Sequence, residues 1–170
     1  MNISLVISDK SIPQKEKIKL ISDEIIKNNL HVDDLIQFAK TSKDPIKATC
    51  IEAIEFSSKL QPSIVNKQCF DFVSNSLTSK APRVKWESAK VIGNTAHLFS
   101  DVLEEAIKNV LINTEDKGTV VRWSAAFALG EIVKIKTKHQ MDLIKAIEVI
   151  IDREEKNSIK KIYQKAIKII

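Results

Sequence analysis

The sequence predicts an all-α protein, a right-handed α-solenoid of about four antiparallel helix pairs plus a final helix. The main observation is an internal repeat: residues 84–93 read Val-Lys-Trp-Glu-Ser-Ala-Lys-Val-Ile-Gly, and residues 121–130 read Val-Arg-Trp-Ser-Ala-Ala-Phe-Ala-Leu-Gly. A period of about 20–50 residues is typical of solenoids. Glycine and proline are also few, at three and four residues, which favours helices. No stretch alternates apolar and polar residues for long, so no sheet is predicted.

The repeat extends in both directions from these two copies. Residues 46–54 and 159–167 fit the same frame at offsets of 38 residues, so a branched apolar residue followed by a cation recurs at positions 46/47, 84/85, 121/122 and 159/160. Each copy is predicted to begin a helix, since Pro45 and Pro82 fall in a first turn, where the missing N–H costs nothing. Gly130 is followed by further apolar residues, so we expect it to permit close packing and not to end its helix.

The remaining helices follow from amphipathic spacing. Second helices are predicted at about 62–77, 100–112 and 140–151. An atypical N-terminal pair precedes them, with Ser11 and Gln14 at capping-box spacing before its first helix and Asp33-Asp34 at the start of its second. The predicted organisation is one domain over residues 1–170: a loose tail at 1–10, a cap pair at 11–43, repeats at 44–79, 80–116 and 117–154, and a half repeat at 155–170.

The motif Val-Arg-x-x-Ala-Ala-x-Ala-Leu-Gly, nearly complete at residues 121–130, resembles the HEAT-like repeat of armadillo-type α-solenoids. The match is strong over 118–133, good over 81–96, weaker over 44–57 and partial over 156–168, whereas residues 1–43 are similar only as a helical pair. The resemblance implies that the motif helices line a concave face and that the protein is a non-enzymatic scaffold that binds other proteins there.

The resemblance also implies which side chains point into the groove. They lie between the inward Val, Ala and Leu positions of each motif, and the expected partner-binding residues are Glu52, Trp86, Glu87, Lys90, Asn94, Trp123, Phe127, Glu131, Lys161 and Lys165, with Ala48, Thr49, Phe56, Ser124 and Ile162 in the same frame. Trp86 and Trp123 occupy equivalent positions, so their indoles are expected side by side. Tryptophan is enriched at interface hot spots, although the two rings could equally pack against a neighbouring loop or helix.

In HEAT-like proteins the cation of the motif bonds to an acid or carbonyl in a turn between helices. The corresponding residues here are Lys47, Lys85, Arg122 and Lys160. Asp116 is the expected partner of Arg122, and Asp44 lies close in sequence to Lys47. No acid precedes Lys85, so this row of contacts between repeats is expected to be incomplete.

Charge offers an alternative function. The net charge is +5, but residues 1–116 hold 15 Lys/Arg and 16 Asp/Glu, whereas residues 117–170 hold 12 and 6. The basic C-terminal repeats therefore suggest nucleic-acid binding as a second hypothesis. Arginine, the better reader of phosphate and guanine, contributes only two of these residues, and Glu52, Glu87 and Glu131 would repel a phosphate backbone. A solvated, lysine-rich surface is the plainer explanation.

No motif for catalysis, a cofactor or a metal is found. The three histidines lack a second ligand at i+3 or i+4, and no Gly-rich phosphate loop is present. DNA glycosylases built from HEAT-like repeats keep an Asp in their cleft, where Glu87 is the nearest substitute here. Bilin lyases contain similar repeats, yet no feature indicates a tetrapyrrole. Cys50 and Cys69 are predicted to be buried, reduced thiols in the two helices of one hairpin.

The remaining expectations concern location and association. No apolar run approaches the roughly 20 residues of a membrane span, and residues 1–7 are too short for a secretory signal, so a cytoplasmic location is expected. The last helix is amphipathic with no helix after it, and Ile169 and Ile170 are a candidate contact for self-association. The sequence leaves open the partner, the pathway, and whether the chain is part of a longer solenoid.

Overall fold

The computed structural model describes all residues 1–170 and contains ten α-helices and no strand. The helices are α1 Ile3–Ser8, α2 Gln14–Ile26, α3 Val32–Thr41, α4 Asp44–Leu60, α5 Lys67–Ser76, α6 Pro82–Thr95, α7 Glu104–Asn113, α8 Thr119–Ile132, α9 Gln140–Arg153 and α10 Asn157–Ile167. Short 3-10 turns lie at Pro62–Ile64, Ala96–Leu98 and Ser100–Val102. The predicted all-α solenoid is confirmed, and each of the four motif copies forms a helix: α4, α6, α8 and α10.

The helices form two layers around one core. The even-numbered helices α2 to α10 pack side by side in chain order, and α3, α5, α7 and α9 form the second layer. A single hydrophobic cluster runs from Ile18 in α2 to Ala166 in α10, so the repeats share a continuous core. Pro45 and Pro82 lie in the first turns of α4 and α6, as expected.

The structure groups the helices differently from the predicted repeat units. Each second-layer helix packs mainly on the motif helix that follows it, giving the hairpins α3–α4, α5–α6, α7–α8 and α9–α10. The reason is loop length, because short turns precede the motif helices, whereas longer segments with 3-10 turns follow α4 and α6. The last helix is therefore the partner of α9, and Cys50 in α4 and Cys69 in α5 belong to different hairpins.

The N-terminal segment was expected to be loose but contains α1. Its side chains Ile3, Val6 and Ile7 pack against the core, and the Lys17 Nζ donates a hydrogen bond to the Ile7 carbonyl oxygen at 2.6 Å. The predicted cap by Ser11 is wrong, since its N–H and hydroxyl both donate to the Asp9 carboxylate.

Two second-layer helices begin later than predicted. α5 begins after the 3-10 turn at Pro62–Ile64, where the Asn66 side chain accepts a hydrogen bond from the Cys69 N–H at 2.9 Å and so caps the helix. α7 likewise begins after the turn at Ser100–Val102. The third, α9, begins at Gln140 as predicted.

Contacts between repeats are all local along the chain. Side-chain hydrogen bonds that join different hairpins link residues between 31 and 39 positions apart, as in the bond from Arg83 to Glu52, except for the Gln140 side chain, which bonds to the Val133 carbonyl seven residues away across the α8–α9 loop. Solenoids are built in this way, because each repeat touches only its neighbours. No helix has both the length and the apolar character needed to cross a membrane.

Candidate partner-binding face

The outward side of the motif helices α4, α6, α8 and α10, here called the motif face, carries an exposed aromatic pair. Trp123 on α8 is 41% exposed, and its ring stacks on Phe127 with centroids 6.2 Å apart and an interplanar angle of 7°. Parallel, offset rings at this distance attract one another. Phe56 on α4 is 46% exposed and adds a further aromatic side chain.

Gly93 on α6 makes room for this pair. A Cβ atom at position 93 would lie 2.4 Å from the Phe127 Cε1, much closer than two carbon atoms can approach. The absence of a side chain at Gly93 therefore lets Phe127 lie against α6, and Phe127 in turn supports Trp123. Gly130 lies against α10 one repeat later, but a Cβ there would meet Ala166 at 3.5 Å, an ordinary contact, so this position does not require glycine. Gly130 lies inside α8, which confirms the prediction that it does not end its helix.

Trp86 behaves differently from Trp123. Its side chain is partly buried, and its indole N–H donates a hydrogen bond to the Glu87 Oε1 at 2.6 Å. The two ring pairs in the structure are Trp123–Phe127 and Phe70–Phe99, so the expected side-by-side contact between the indoles is absent. The Trp86 indole is therefore held through its N–H by a neighbour on its own helix.

Glu87 was expected in the groove but is buried between α4 and α6, with 4% of its surface exposed. Lys90 bridges it to a second buried carboxylate, with the Nζ 3.0 Å from Glu87 and 3.2 Å from Glu55. Burial raises the pKa of Glu87, although Lys90 partly offsets this. Burial alone would lower the pKa of Lys90, but Glu87 and Glu55 outweigh it and raise that pKa.

Two further predicted groove residues hold neighbouring helices together. Glu52 on α4 pairs with Arg83 on α6. The Asn94 side-chain amide donates hydrogen bonds to the Glu55 carbonyl at 3.3 Å and to the Ser58 hydroxyl at 3.1 Å. These side chains are only partly exposed and are engaged inside the solenoid. The motif frame also placed three other residues in the groove, and this prediction is wrong because the structure buries all three: Ala48, Thr49 and Ser124.

The C-terminal part of the motif face is basic. Lys161 and Lys165 are exposed on α10, with Lys168 just after the helix and one further turn along. Glu131 on α8 is partly exposed and pairs with Lys134 at 2.6 Å. The motif face therefore changes along the solenoid. It carries carboxylates paired with cations on α4 and α6, the aromatic pair on α8, and lysines without ion-pair partners on α10.

The row of cation–acid contacts exists, but each acid comes from the turn within the next hairpin and not from the turn before the cation's own motif helix. Lys85 pairs with Asp116 at 2.7 Å, and Arg122 pairs with Glu154 at 2.9 Å. Asp116 serves Arg122 only through its backbone carbonyl, at 2.9 Å. Sequence reasoning missed Glu154, although its spacing of 32 residues from Arg122 matches the 31 residues between Lys85 and Asp116.

The contacts of these two acids lower their pKa values. Burial would raise the pKa of Asp116, but hydrogen bonds from Lys85 and the Gly118 N–H outweigh it and hold that pKa below its usual value. Burial would likewise raise the pKa of Glu154, but hydrogen bonds from Arg122 and the Lys156 N–H outweigh it and hold that pKa below its usual value. Asp44, the residue considered for Lys47, forms no ion pair with it.

Reactive groups are few on the motif face. Both cysteines are free and buried, as predicted, and burial raises the pKa of each thiol to about 12, which keeps it protonated. No group of three or more His, Cys, Asp or Glu side chains is arranged to hold a metal ion.

No protein-family model and no curated protein matches the sequence. Solved structures do share the fold. A designed armadillo repeat protein in complex with the peptide (KR)4 has 14% identity and a TM-score of 0.75, covering 98% of this chain and 79% of that one. The complex of CpcE and CpcF of phycocyanin lyase from a Nostoc species has 16% identity and a TM-score of 0.74, covering 96% of both chains. An engineered protein has 17% identity and a TM-score of 0.73, covering 98% of this chain and 78% of that one.

Proposed function

We propose that this protein, whose fold is that of armadillo and HEAT-like repeat proteins, is a non-enzymatic scaffold that binds a segment of a partner protein on the motif face. The observation that carries the proposal is the Trp123–Phe127 pair. It places 41% of an indole in solvent on a motif helix, stacked on a ring that rests on Gly93. One similar structure, a designed armadillo protein, was solved with a bound peptide.

The pair is already arranged for binding before a partner arrives. Freezing a flexible side chain at an interface costs roughly 0.5–1.5 kcal/mol, and a ring fixed by its neighbours avoids most of that cost. Buried aromatic anchors of this kind dominate the energetics of many interfaces. We therefore expect Trp123 to be the main contact and Trp86, which is tied to Glu87, to contribute less.

Charge on the motif face defines the partner segment further. Near α10 the free side chains are Lys161, Lys165 and Lys168, which favour acidic residues in the ligand. Near α4 and α6 three carboxylates face two cations, Arg83 and Lys90, which leaves a slight negative excess. A segment with an apolar or aromatic residue at Trp123 and acidic residues toward α10 fits this pattern.

Affinity capture from lysate of the source cells tests the proposal, with nuclease added and with Trp123→Ala beside the wild type. The matched control is Ile112→Ala, which removes an exposed apolar side chain (61% exposed) from α7 in the other layer. We expect a protein that is retained by the wild type and Ile112→Ala and lost with Trp123→Ala. Circular dichroism verifies that both variants fold. Equal retention by all three proteins would refute the proposed use of the motif face.

The nucleic-acid alternative gives a different result in the same experiment. Binding through the basic C-terminal repeats would survive Trp123→Ala, disappear at high salt and weaken in Lys161→Glu/Lys165→Glu, because phosphate contacts are strongly salt-dependent. Such a result would transfer the function to α10. The glycosylase hypothesis finds no added support, since Glu87, its proposed acid, is buried against Lys90.

Self-association through the C-terminal residues remains part of the proposal, as does a cytoplasmic location. Ile169 and Ile170 are 70% and 54% exposed just after α10, which is a large apolar surface for two adjacent residues. Sedimentation of the wild type and Ile170→Lys at high concentration tests this contact. A wild-type dimer that dissociates in the variant supports it, and a monomer in both cases refutes it.

A further inference from the structure

The turns that lead into the motif helices hold equivalent residues in successive repeats. Ser79, Asp116 and Glu154 each lie five residues before the first buried apolar residue of a motif helix, at Val84, Val121 and Ile159. Each uses a side-chain oxygen to accept a hydrogen bond from the backbone N–H two residues later. These distances are 3.1 Å for Ser79, 2.7 Å for Asp116 and 2.9 Å for Glu154.

The two acids have a second partner that the serine lacks. Asp116 and Glu154 also bond to the motif cations Lys85 and Arg122, located 31 and 32 residues earlier in the chain. The residue 32 positions before Ser79 is Lys47, the motif cation of the first repeat. Lys47 has no carboxylate within 4.0 Å, because a hydroxyl stands where the next two repeats hold a negative charge.

The space beside Lys47 is open and polar. A cavity of about 760 Å³ lies there, and apart from Phe72 and Val84 all its lining side chains are polar or charged. Three of them are lysines. Lys67 is paired with Asp71 at 2.6 Å, whereas Lys40 and Lys47 have no ion-pair partner. The Ser79 hydroxyl and the Asn75 side-chain amide line the same cavity and can donate hydrogen bonds, whereas the Thr78 hydroxyl already donates to the Asn75 carbonyl at 2.8 Å.

We propose that this cavity binds a phosphate monoester group, which supplies to Lys47 the negative charge that Asp116 and Glu154 supply in the following repeats. Two unpaired lysines match the charge of about −1.5 to −2 on a phosphate monoester at neutral pH better than the single charge of a carboxylate. Lysine binds phosphate as a mobile point charge, which suits an open cavity. The site is separate from the motif face and does not depend on the function proposed above.

Isothermal titration calorimetry with O-phosphoserine and with inorganic phosphate, in buffer of low ionic strength, tests the site. We expect saturable binding of one ligand per chain to the wild type. Lys47→Met should weaken it at least about tenfold, because a hydrogen bond to a charged group contributes about 1.5–3 kcal/mol. Lys85→Met is the matched control and should bind as the wild type does, since Lys85 serves Asp116 in the next repeat.

A second variant keeps the test independent of any folding defect in Lys47→Met. Ser79→Asp places a carboxylate where Asp116 stands in the next repeat, so it should both abolish phosphate binding and raise the melting temperature. Adding Lys47→Met to Ser79→Asp should remove that increase. The proposal is overturned if the wild type shows no saturable binding, or if Lys47→Met and Ser79→Asp bind the ligand as tightly as the wild type.

Discussion

The α4–α6 and α6–α8 junctions both join motif helices, whose motif copies are 38 and 37 residues apart in sequence, but the contacts at the two junctions differ in chemistry. Between α4 and α6, Lys90 bridges two buried carboxylates and Asn94 bonds to the Glu55 carbonyl, so the contact is ionic and hydrogen-bonded. Between α6 and α8, Phe127 lies against Gly93, so the contact is apolar and depends on shape. One repeat motif thus tolerates two kinds of joint.

This difference separates the side chains that hold the solenoid together from those free to bind. The polar joint engages Glu52, Glu87, Lys90 and Asn94, four of the residues that the motif frame places in the groove. The apolar joint leaves Trp123 exposed above Phe127. Stability should therefore be most sensitive to charge changes at the first joint and to volume changes at the second.

Lys90→Met should give the largest loss of stability. It leaves Glu55 and Glu87 buried without their cation, and removing one partner of a buried ion pair costs about 3–5 kcal/mol. Because the Lys90 side chain is 24% exposed, we expect about 2–4 kcal/mol in urea denaturation. Lys134→Met breaks an exposed pair of the same i,i+3 spacing and should cost about 0.5 kcal/mol or less. Equal losses would contradict the assigned role of burial.

The cost of Lys90→Met should also depend on pH. Burial already raises the pKa of Glu87, and losing Lys90 raises it further. A carboxyl pKa that is raised in the folded state makes the free energy of unfolding fall as pH rises from about 4 through the folded-state pKa. The variant should therefore be less impaired at about pH 5 than at about pH 7.5. Denaturation curves of wild type and variant at both pH values would show this, and a pH-independent cost would argue against ionised Glu87.

Gly93→Ala should be the next most harmful change. The added methyl group would lie 2.4 Å from the Phe127 ring, and overpacking of this kind costs roughly 1–3 kcal/mol, partly offset by the higher helix propensity of alanine. We expect a net loss of about 1–2 kcal/mol and a change in Trp123 fluorescence as the stacked ring moves. Gly130→Ala meets only ordinary contacts and should be neutral or stabilising by up to about 1 kcal/mol.

Asn94→Ala should have a smaller effect than Lys90→Met or Gly93→Ala. It removes two hydrogen bonds of 3.1 and 3.3 Å at the polar joint, while partial exposure lets water replace them. We expect a loss of about 0.5–1 kcal/mol in the free energy of unfolding. Thermal denaturation measures it, with Asn94→Asp as a companion variant. The aspartate should be worse than the alanine, because it places a third carboxylate beside Glu55 and Glu87.

The sequence was a good guide wherever a feature recurs with the repeat. The four motif copies, the proline starts of two of them and the continuation of α8 through Gly130 all follow from spacing that can be read along the chain. The hairpin grouping was not predicted, because it depends on loop lengths that 3-10 turns at Pro62–Ile64 and Ser100–Val102 decide. The helix α1 was missed because its apolar residues form a pattern too short to identify.

The candidate site was predicted less well than the fold, for a physical reason. The motif frame assigns a side chain to a face of its helix, but it does not state how closely the next helix approaches. Glu87 lies near the edge of the outward face, and the neighbouring α4 covers it, which turns a predicted ligand contact into a buried one. Trp123 stays exposed while Phe127 beneath it lies close to α6, because Gly93 has no side chain to block that ring.

The short reach of the contacts between repeats also affects how the chain forms and fails. Since no side-chain hydrogen bond between hairpins spans more than 39 residues, each hairpin can dock on the one before it as soon as it has itself left the ribosome. Contacts of low sequence separation favour fast folding. Pulled from its two ends, such a chain should yield in steps, one hairpin at a time from a terminus, with the Lys90 joint among the last to open.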